Sequence, residues 1–364
     1  MSILLFLGVL FVLVLVHELG HFAIAKWTGM RVDEFGIGFP PRLFGIRRGD
    51  TLYSFNLFPI GGFVKIFGED SFDDSVNKEY TQGSFASKSK WAQSAVLVAG
   101  ISMNILFAWF LVAIAFGIGV QTSVSEDNAT ENAKLTITDV LAGSPAERAG
   151  ILPGTVVKSV EAGGETLDVL KPSTFSAFVA THVETPLTVV SVYKGEPNVV
   201  RLASEPGIIS DNPSQHAIGI AMVQVDTVQR SFVNAVSDSF IYTITSTRDI
   251  VVGISQLLVD TVLMRADYSQ IAGPVGIVGL VGETSAFGVT ALLMFTAFIS
   301  LNLAVINILP FPALDGGRLL FVIIEAVKGS PIAPRYVAVL NTFGFLLLIS
   351  LMIVVTWNDV ARLI

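Results

Sequence analysis

The 364-residue sequence has no cysteine, four histidines and few charged side chains, 14% against the roughly 25% of an average soluble domain. Without cysteine there is no disulfide and no thiolate nucleophile. The shortage of charge excludes a purely soluble chain. The formal net charge is −8 and no basic stripe is present, which argues against a nucleic-acid partner.

What is present instead is apolar. Hydrophobic residues make up 52% of the chain and gather in four blocks, 3–27, 92–120, 287–309 and 337–356. Each approaches or exceeds the roughly 20 residues that a spanning helix needs. Residues 2–16 have the length of a signal-peptide core. No Lys or Arg precedes them, however, and no small-residue cleavage site follows, so a retained helix is expected. Nine Lys and Arg fall between Lys26 and Lys90, and Arg318, Lys328 and Arg335 follow the third block. The stretch 121–283 also has nine, but spread over a long, net acidic segment, and long translocated domains are largely exempt from the positive-inside rule. The N-terminus and this large segment are therefore expected outside, with the first and third loops in the cytoplasm.

Residues 32–68 are not helical. Gly36-Ile37-Gly38-Phe39-Pro40-Pro41 breaks any helical period, and 51–58 and 62–67 are rich in aromatic and β-branched residues. They read as β-hairpins. The run 63–67 has no obvious partner on one side, and an unpaired strand edge is a template for another chain. Val64 and Ile66 are thus candidate substrate-pairing residues. Strand-like runs recur at 135–140, 155–160, 187–193 and 198–202, with a helix-like stretch at 173–183. Gly143-Ser144-Pro145-Ala146-Glu147-Arg148-Ala149-Gly150-Ile151-Leu152-Pro153-Gly154 resembles the signature of bacterial PDZ domains, and one copy is visible. Residues 230–263 carry apolar side chains at helical spacing. That helix could lie on the membrane surface or pack on the PDZ-like segment.

The strongest chemical signal is His17-Glu18-Leu19-Gly20-His21, inside the first apolar block. Residues four apart on a helix share a face, so both imidazoles can address one metal ion. Glu18 sits where it can act on a metal-bound water. Ionisable groups at membrane depth are costly and point to function. A catalytic zinc usually takes three protein ligands and keeps one position open. His182 and His216 lie in the outer segment, so the third ligand must come from elsewhere. Asp315 is the candidate, in Asn307-Ile308-Leu309-Pro310-Phe311-Pro312-Ala313-Leu314-Asp315-Gly316-Gly317-Arg318. The prolines end the third helix and the glycines allow a tight turn. Taken alone, Asp-Gly-Gly is an ordinary turn. Depth favours more: His17 lies about 21 Å along the first helix, in the inner half of a roughly 30 Å core, and the third block ends on the same side.

These two motifs resemble the site-2 protease family of intramembrane metalloproteases, over nearly the whole chain. The likeness extends to Gly100-x-x-x-Asn104, Gly-Phe-Pro-Pro, Pro-Ile-Gly-Gly and Ile271-Ala272-Gly273-Pro274-Val275-Gly276-Ile277. It is nearest to bacterial regulators that cleave anti-sigma factors. The resemblance implies Zn2+ held by His17, His21 and Asp315, with Glu18 as general base and acid. It implies that Asn307 holds substrate or transition state, with Asn104 and Asn302 in the same region. It further implies transmembrane protein substrates, some of them pre-cut by another protease, and a bacterial inner membrane location. Well-studied proteobacterial relatives carry two PDZ domains in tandem, where this chain offers one.

The expected fold is an α-helical multi-pass membrane protein with four transmembrane helices, membrane-associated β-hairpins and an inserted extracytoplasmic α/β PDZ-like domain. The boundaries follow: 1–30 first span, 31–90 hairpin region, 91–121 second span, 122–226 PDZ-like domain, 227–284 amphipathic helical linker, 285–318 third span, 319–364 cytoplasmic loop and fourth span. Two other classes fit parts of the pattern: a metal-coupled transporter, which lacks the inverted repeat expected of it, and an inert PDZ-bearing scaffold, which has no need of Glu18. A His2Asp set also admits iron or manganese.

Overall fold

A computed structural model describes residues 1–69, 83–183, 185–208, 214–265 and 272–361. In chain order the elements begin α1 (Ser2–Trp27), β1 (Val32–Arg48), β2 (Thr51–Ile66), α2 (Lys90–Ile118), β3 (Val120–Val124) and β4 (Lys134–Val140). They continue α3 (Pro145–Arg148), β5 (Val156–Ala162), β6 (Glu165–Thr166), α4 (Pro172–Thr181), β7 (Leu187–Tyr193), β8 (Glu196–Leu202) and β9 (Ile220–Val228). The chain closes with α5 (Phe232–Val262), α6 (Pro274–Ala286), α7 (Val289–Ile308), α8 (Asp315–Lys328) and α9 (Pro334–Ala361). Two compact units result, Met1–Gly117 with Ser231–Ile364, and Ile118–Arg230.

In the first unit, α1, α2, α7 and α9 are long and apolar enough to cross a membrane. A helix suits that solvent because it satisfies its backbone polar groups within one segment. The buried residues of α1 are Leu13, His17, Gly20, His21 and Ala25, a single stripe at helical spacing. That stripe meets protein, while Leu4, Val12 and Leu19 stay exposed as a lipid-facing side chain would. Both site histidines therefore lie on the face that α1 turns inward.

The non-helical region is one two-stranded sheet folded on itself. Residues Glu34 to Ile37 pair in rising register with Leu52 to Phe55, and in falling register with Gly62 to Lys65. Gly45 to Arg48 then pairs with Thr51 to Ser54. The β reading of 32–68 holds: β1 runs through Gly36-to-Pro41, and β2 continues through Pro59-Ile60-Gly61-Gly62 as one strand. Ile66 is buried with Ala25, Met30, Val32 and Phe85 in one core cluster, so any pairing with another chain there would run through its backbone.

The amphipathic segment packs on helices of its own unit. Trp109 Nε1 of α2 donates to the Val236 carbonyl of α5 at 3.2 Å, and Phe240 and Tyr242 meet Trp109 and Phe116 edge-on. Ile250 joins Leu111, Val112, Ala297 and Leu301 in one cluster. Of the Ile271-to-Ile277 motif, Ile271 lies outside the described residues. Gly273 and Gly276 donate their N–H groups to buried Asp359 of α9 at 3.1 and 2.8 Å. These are donors at the start of α6 that no helical carbonyl could satisfy.

One correction concerns residues 315–328, expected as a turn and a loop. They form α8. Gly316 and Gly317 sit in its first turn, where an added Cβ would strike the carbonyls of Ile308, Leu309 and Phe311. Close backbone approach, not a reverse turn, is what these glycines permit.

Among the described residues the second unit is a seven-stranded sheet in the order β3-β9-β4-β5-β7-β8, with β6 on β5. Leu135, Ile137, Val160, Phe175, Val179 and Leu187 form its core. Strand β9 has no forerunner among the expected runs. Its pattern is interrupted by Gln224 and Asp226, both buried, with Asp226 accepting the Thr130 N–H at 2.8 Å. β3 pairs only with Gln224 to Val228, so among the described residues Ile220 to Val223 keeps one open edge. That edge, with Phe175, Ser176 and Val179 of α4, lines a cavity of about 280 Å³.

Candidate metal centre

Sequence spacing puts His17 and His21 one turn apart on α1, and α2 finishes their orientation. His21 Nδ1 lies 2.8 Å from the Val96 carbonyl. A carbonyl accepts only, so Nδ1 carries the proton and Nε2 of the neutral ring presents a lone pair. Asn104 reaches His17 Nδ1 at 3.2 Å. Asp315 arrives as the first residue of α8. An Arg318–Glu69 ion pair and a Lys90 Nζ to Glu325 Oε2 contact of 2.6 Å fasten α8 to the chain beyond β2 and to the start of α2. A cavity of about 350 Å³ lined by Asp315, Arg318, Asn341 and Phe345 reaches the carboxylate from the α9 side.

Three ligand-type atoms converge. His17 Nε2 stands 3.0 Å from Asp315 Oδ2, His21 Nε2 stands 3.3 Å from the same oxygen, and the two nitrogens are 3.1 Å apart. The two histidines are each 8% exposed. Zinc bonds of about 2.0–2.1 Å in tetrahedral geometry require ligand separations of roughly 3.3–3.4 Å. The observed edges match that within a few tenths of an ångström. Asp315 Oδ2 is also buried without a hydrogen-bond donor, as an oxygen reserved for a cation would be. The residues present therefore fit zinc.

Four membrane-length helices among the described residues and a His-Glu-x-x-His pair meeting a distant carboxylate define the class: a membrane zinc metalloendopeptidase. The profile of peptidase family M50 matches residues 5–351, and the chain belongs to that family, the site-2 proteases. It is 32% identical to the zinc metalloprotease RasP of Oceanobacillus iheyensis, covering 97% of each chain. It is 28% identical to the regulator of sigma-W protease RasP of Bacillus subtilis, covering 96% of each. Zn2+ is accordingly the expected cofactor.

The other candidate residues distribute unevenly. Glu18 is half-buried beside the histidines, and a Cβ added at Gly62 would come 3.9 Å from its Cγ. Strand β2 thus passes next to the expected base. Val64 is half-buried and pairs with Phe35. Asn104, expected near substrate, is fully buried and turned toward His17. Asn302 donates its amide to Phe298 O of its own helix at 2.8 Å. Asn307 stands half-buried in the last turn of α7. The Arg318–Glu69 and Lys90–Glu325 anchors were missed. Their partners lie 249 and 235 residues apart, and no local pattern announces such a pair.

Proposed function

We propose that the protein is an intramembrane endopeptidase that cuts transmembrane segments of other membrane proteins, with the active site in the cytoplasmic half of the bilayer. The observation that carries this reading is the convergence of two α1 side chains with Asp315 inside a helix long and apolar enough to span the membrane. His17 Nε2, His21 Nε2 and Asp315 Oδ2 would hold the zinc. Bound there, zinc lowers the pKa of a water molecule and polarises a peptide carbonyl. Glu18 accepts the proton of the attacking water and returns it to the leaving amine, so one carboxylate serves as base and then acid. Asn307 steadies the substrate at the end of α7. The cation count of the loops supports an extracytoplasmic N-terminus.

A helical substrate presents carbonyls already bonded within the helix, so it must unwind before it is cut. The 62–66 run offers replacement bonds. It pairs with 34–37 on one side, and its other edge has no strand partner among the described residues. Successive N–H groups of a strand point to opposite edges. Of Phe63→Pro and Val64→Pro, one is therefore expected to weaken the sheet. The other should leave zinc content intact and slow cleavage of a membrane-helix substrate about 2–10-fold, the worth of one net hydrogen bond. A soluble unfolded peptide should be slowed less. Equal rates of both variants with wild type on the membrane substrate would retire strand pairing.

The second unit is proposed to be PDZ-like and extracytoplasmic, taking an extended peptide along the open edge of β9 against α4. The test of the main reading is direct. Detergent-purified protein is given a membrane-helix substrate with and without a chelator. Cleavage that stops with chelator and returns with zinc is expected. Zinc-independent cleavage, or none under any condition, would overturn the reading.

A further inference from the structure

We infer that the Gly100-x-x-x-Asn104 pair of α2 is a seat for the metal-ligating imidazoles, in which Asn104 is a positioning residue that accepts the His17 Nδ1 proton. The inference rests on the ligand assignment proposed above. Three α2 positions spaced four apart, Val96, Gly100 and Asn104, lie on one buried face of the helix. They meet His21 and His17, themselves four apart on α1. The Val96 carbonyl takes the His21 Nδ1 proton at 2.8 Å. A Cβ at Gly100 would collide with His21 Nε2 and come 2.9 Å from His17 Cε1, so only glycine leaves room for both rings. Asn104, completely buried, ends the row 3.2 Å from His17 Nδ1. Its main-chain carbonyl accepts the Ser300 hydroxyl of α7 at 2.8 Å, which braces α2 at this point.

The direction of the Asn104 bond follows from valence. His17 Nε2 faces the ligand triangle and must offer a lone pair there. A neutral imidazole then carries its only proton on Nδ1, which needs an acceptor. The amide atom nearest Nδ1 is Nδ2, a donor, while Oδ1 is buried with no partner. The two ends of a carboxamide are interchangeable in shape. Turning the amide over brings Oδ1 to Nδ1–H within the same space. His17 would then mirror His21, each ring fixed in the Nε2-ligating tautomer by an α2 oxygen. An outer partner of this kind typically changes metal affinity or activity 10–100-fold.

The experiment is a zinc-affinity titration against a competing chelator, using the full-length detergent-purified chain and three variants. Asn104→Leu keeps the volume and removes the acceptor, and its zinc affinity is expected to fall about 10–100-fold. Asn104→Asp supplies an acceptor that cannot donate, and is expected to restore at least most of the loss. Cobalt(II) bound in place of zinc should show a shifted visible spectrum in the Leu variant and a near wild-type one in the Asp variant. Melting of the metal-free proteins separates a folding defect from a site defect. Wild-type zinc affinity in Asn104→Leu would overturn the positioning role. An Asp variant as weak as the Leu variant, though folded, would overturn the acceptor role. His17→Ala tests the underlying ligand assignment separately: it should lose tight zinc binding altogether, and wild-type affinity there would remove the basis of both.

Discussion

Replacing Glu18 with glutamine is expected to abolish cleavage while leaving bound zinc near the wild-type level. Glutamine keeps the size of the side chain and loses the carboxylate that accepts a proton. Glu18 is not one of the three converging ligand-type residues, so metal should remain. A positioned general base contributes roughly 10²–10⁴-fold to a hydrolytic step, and the same side chain is asked to act twice, as base and then as acid. The loss should therefore reach at least the upper part of that range. The check pairs metal analysis of the purified variant with the rate of cleavage of a membrane-helix substrate. Near wild-type cleavage would sink the mechanism. Loss of zinc together with activity would move Glu18 from base to ligand.

The second large effect is expected at Asp315, 298 residues from His17 in sequence and 3.0 Å from it in space. Asp315→Ala removes one of three converging atoms and leaves two neutral nitrogens. The fall in zinc affinity should exceed the roughly 10–100-fold that losing an outer partner costs. The variant also tests whether α8 is there to deliver this carboxylate. Arg318–Glu69 and Lys90–Glu325 remain in place, so the helix should stay docked and the circular-dichroism spectrum unchanged. Undiminished zinc in a folded variant would mean that a different residue completes the set.

Much of this was legible along the chain because it is local chemistry. The spans are apolar runs, and a run reports its preference for hydrocarbon without reference to any other part of the molecule. The His17-to-His21 pair is equally local, since a four-residue interval on a helix is a shared face wherever the helix lies. The third ligand was nameable only as the remaining carboxylate at the right depth.

What the tertiary structure decided lies in contacts between distant segments. Asp315 opens a helix instead of a turn because Gly316 and Gly317 let α8 press against the Ile308, Leu309 and Phe311 carbonyls, and no local rule distinguishes those two uses of glycine. The strand β1 is paired on both sides along Glu34 to Ile37, and which strands meet across a sheet is invisible to local propensity. That Asn104 meets His17 follows from the register of α2 against α1, set by packing at Val96, Gly100 and Asn104. A one-dimensional pattern states what each segment prefers; which atoms meet is decided by the packing of helices whose sequences do not refer to one another.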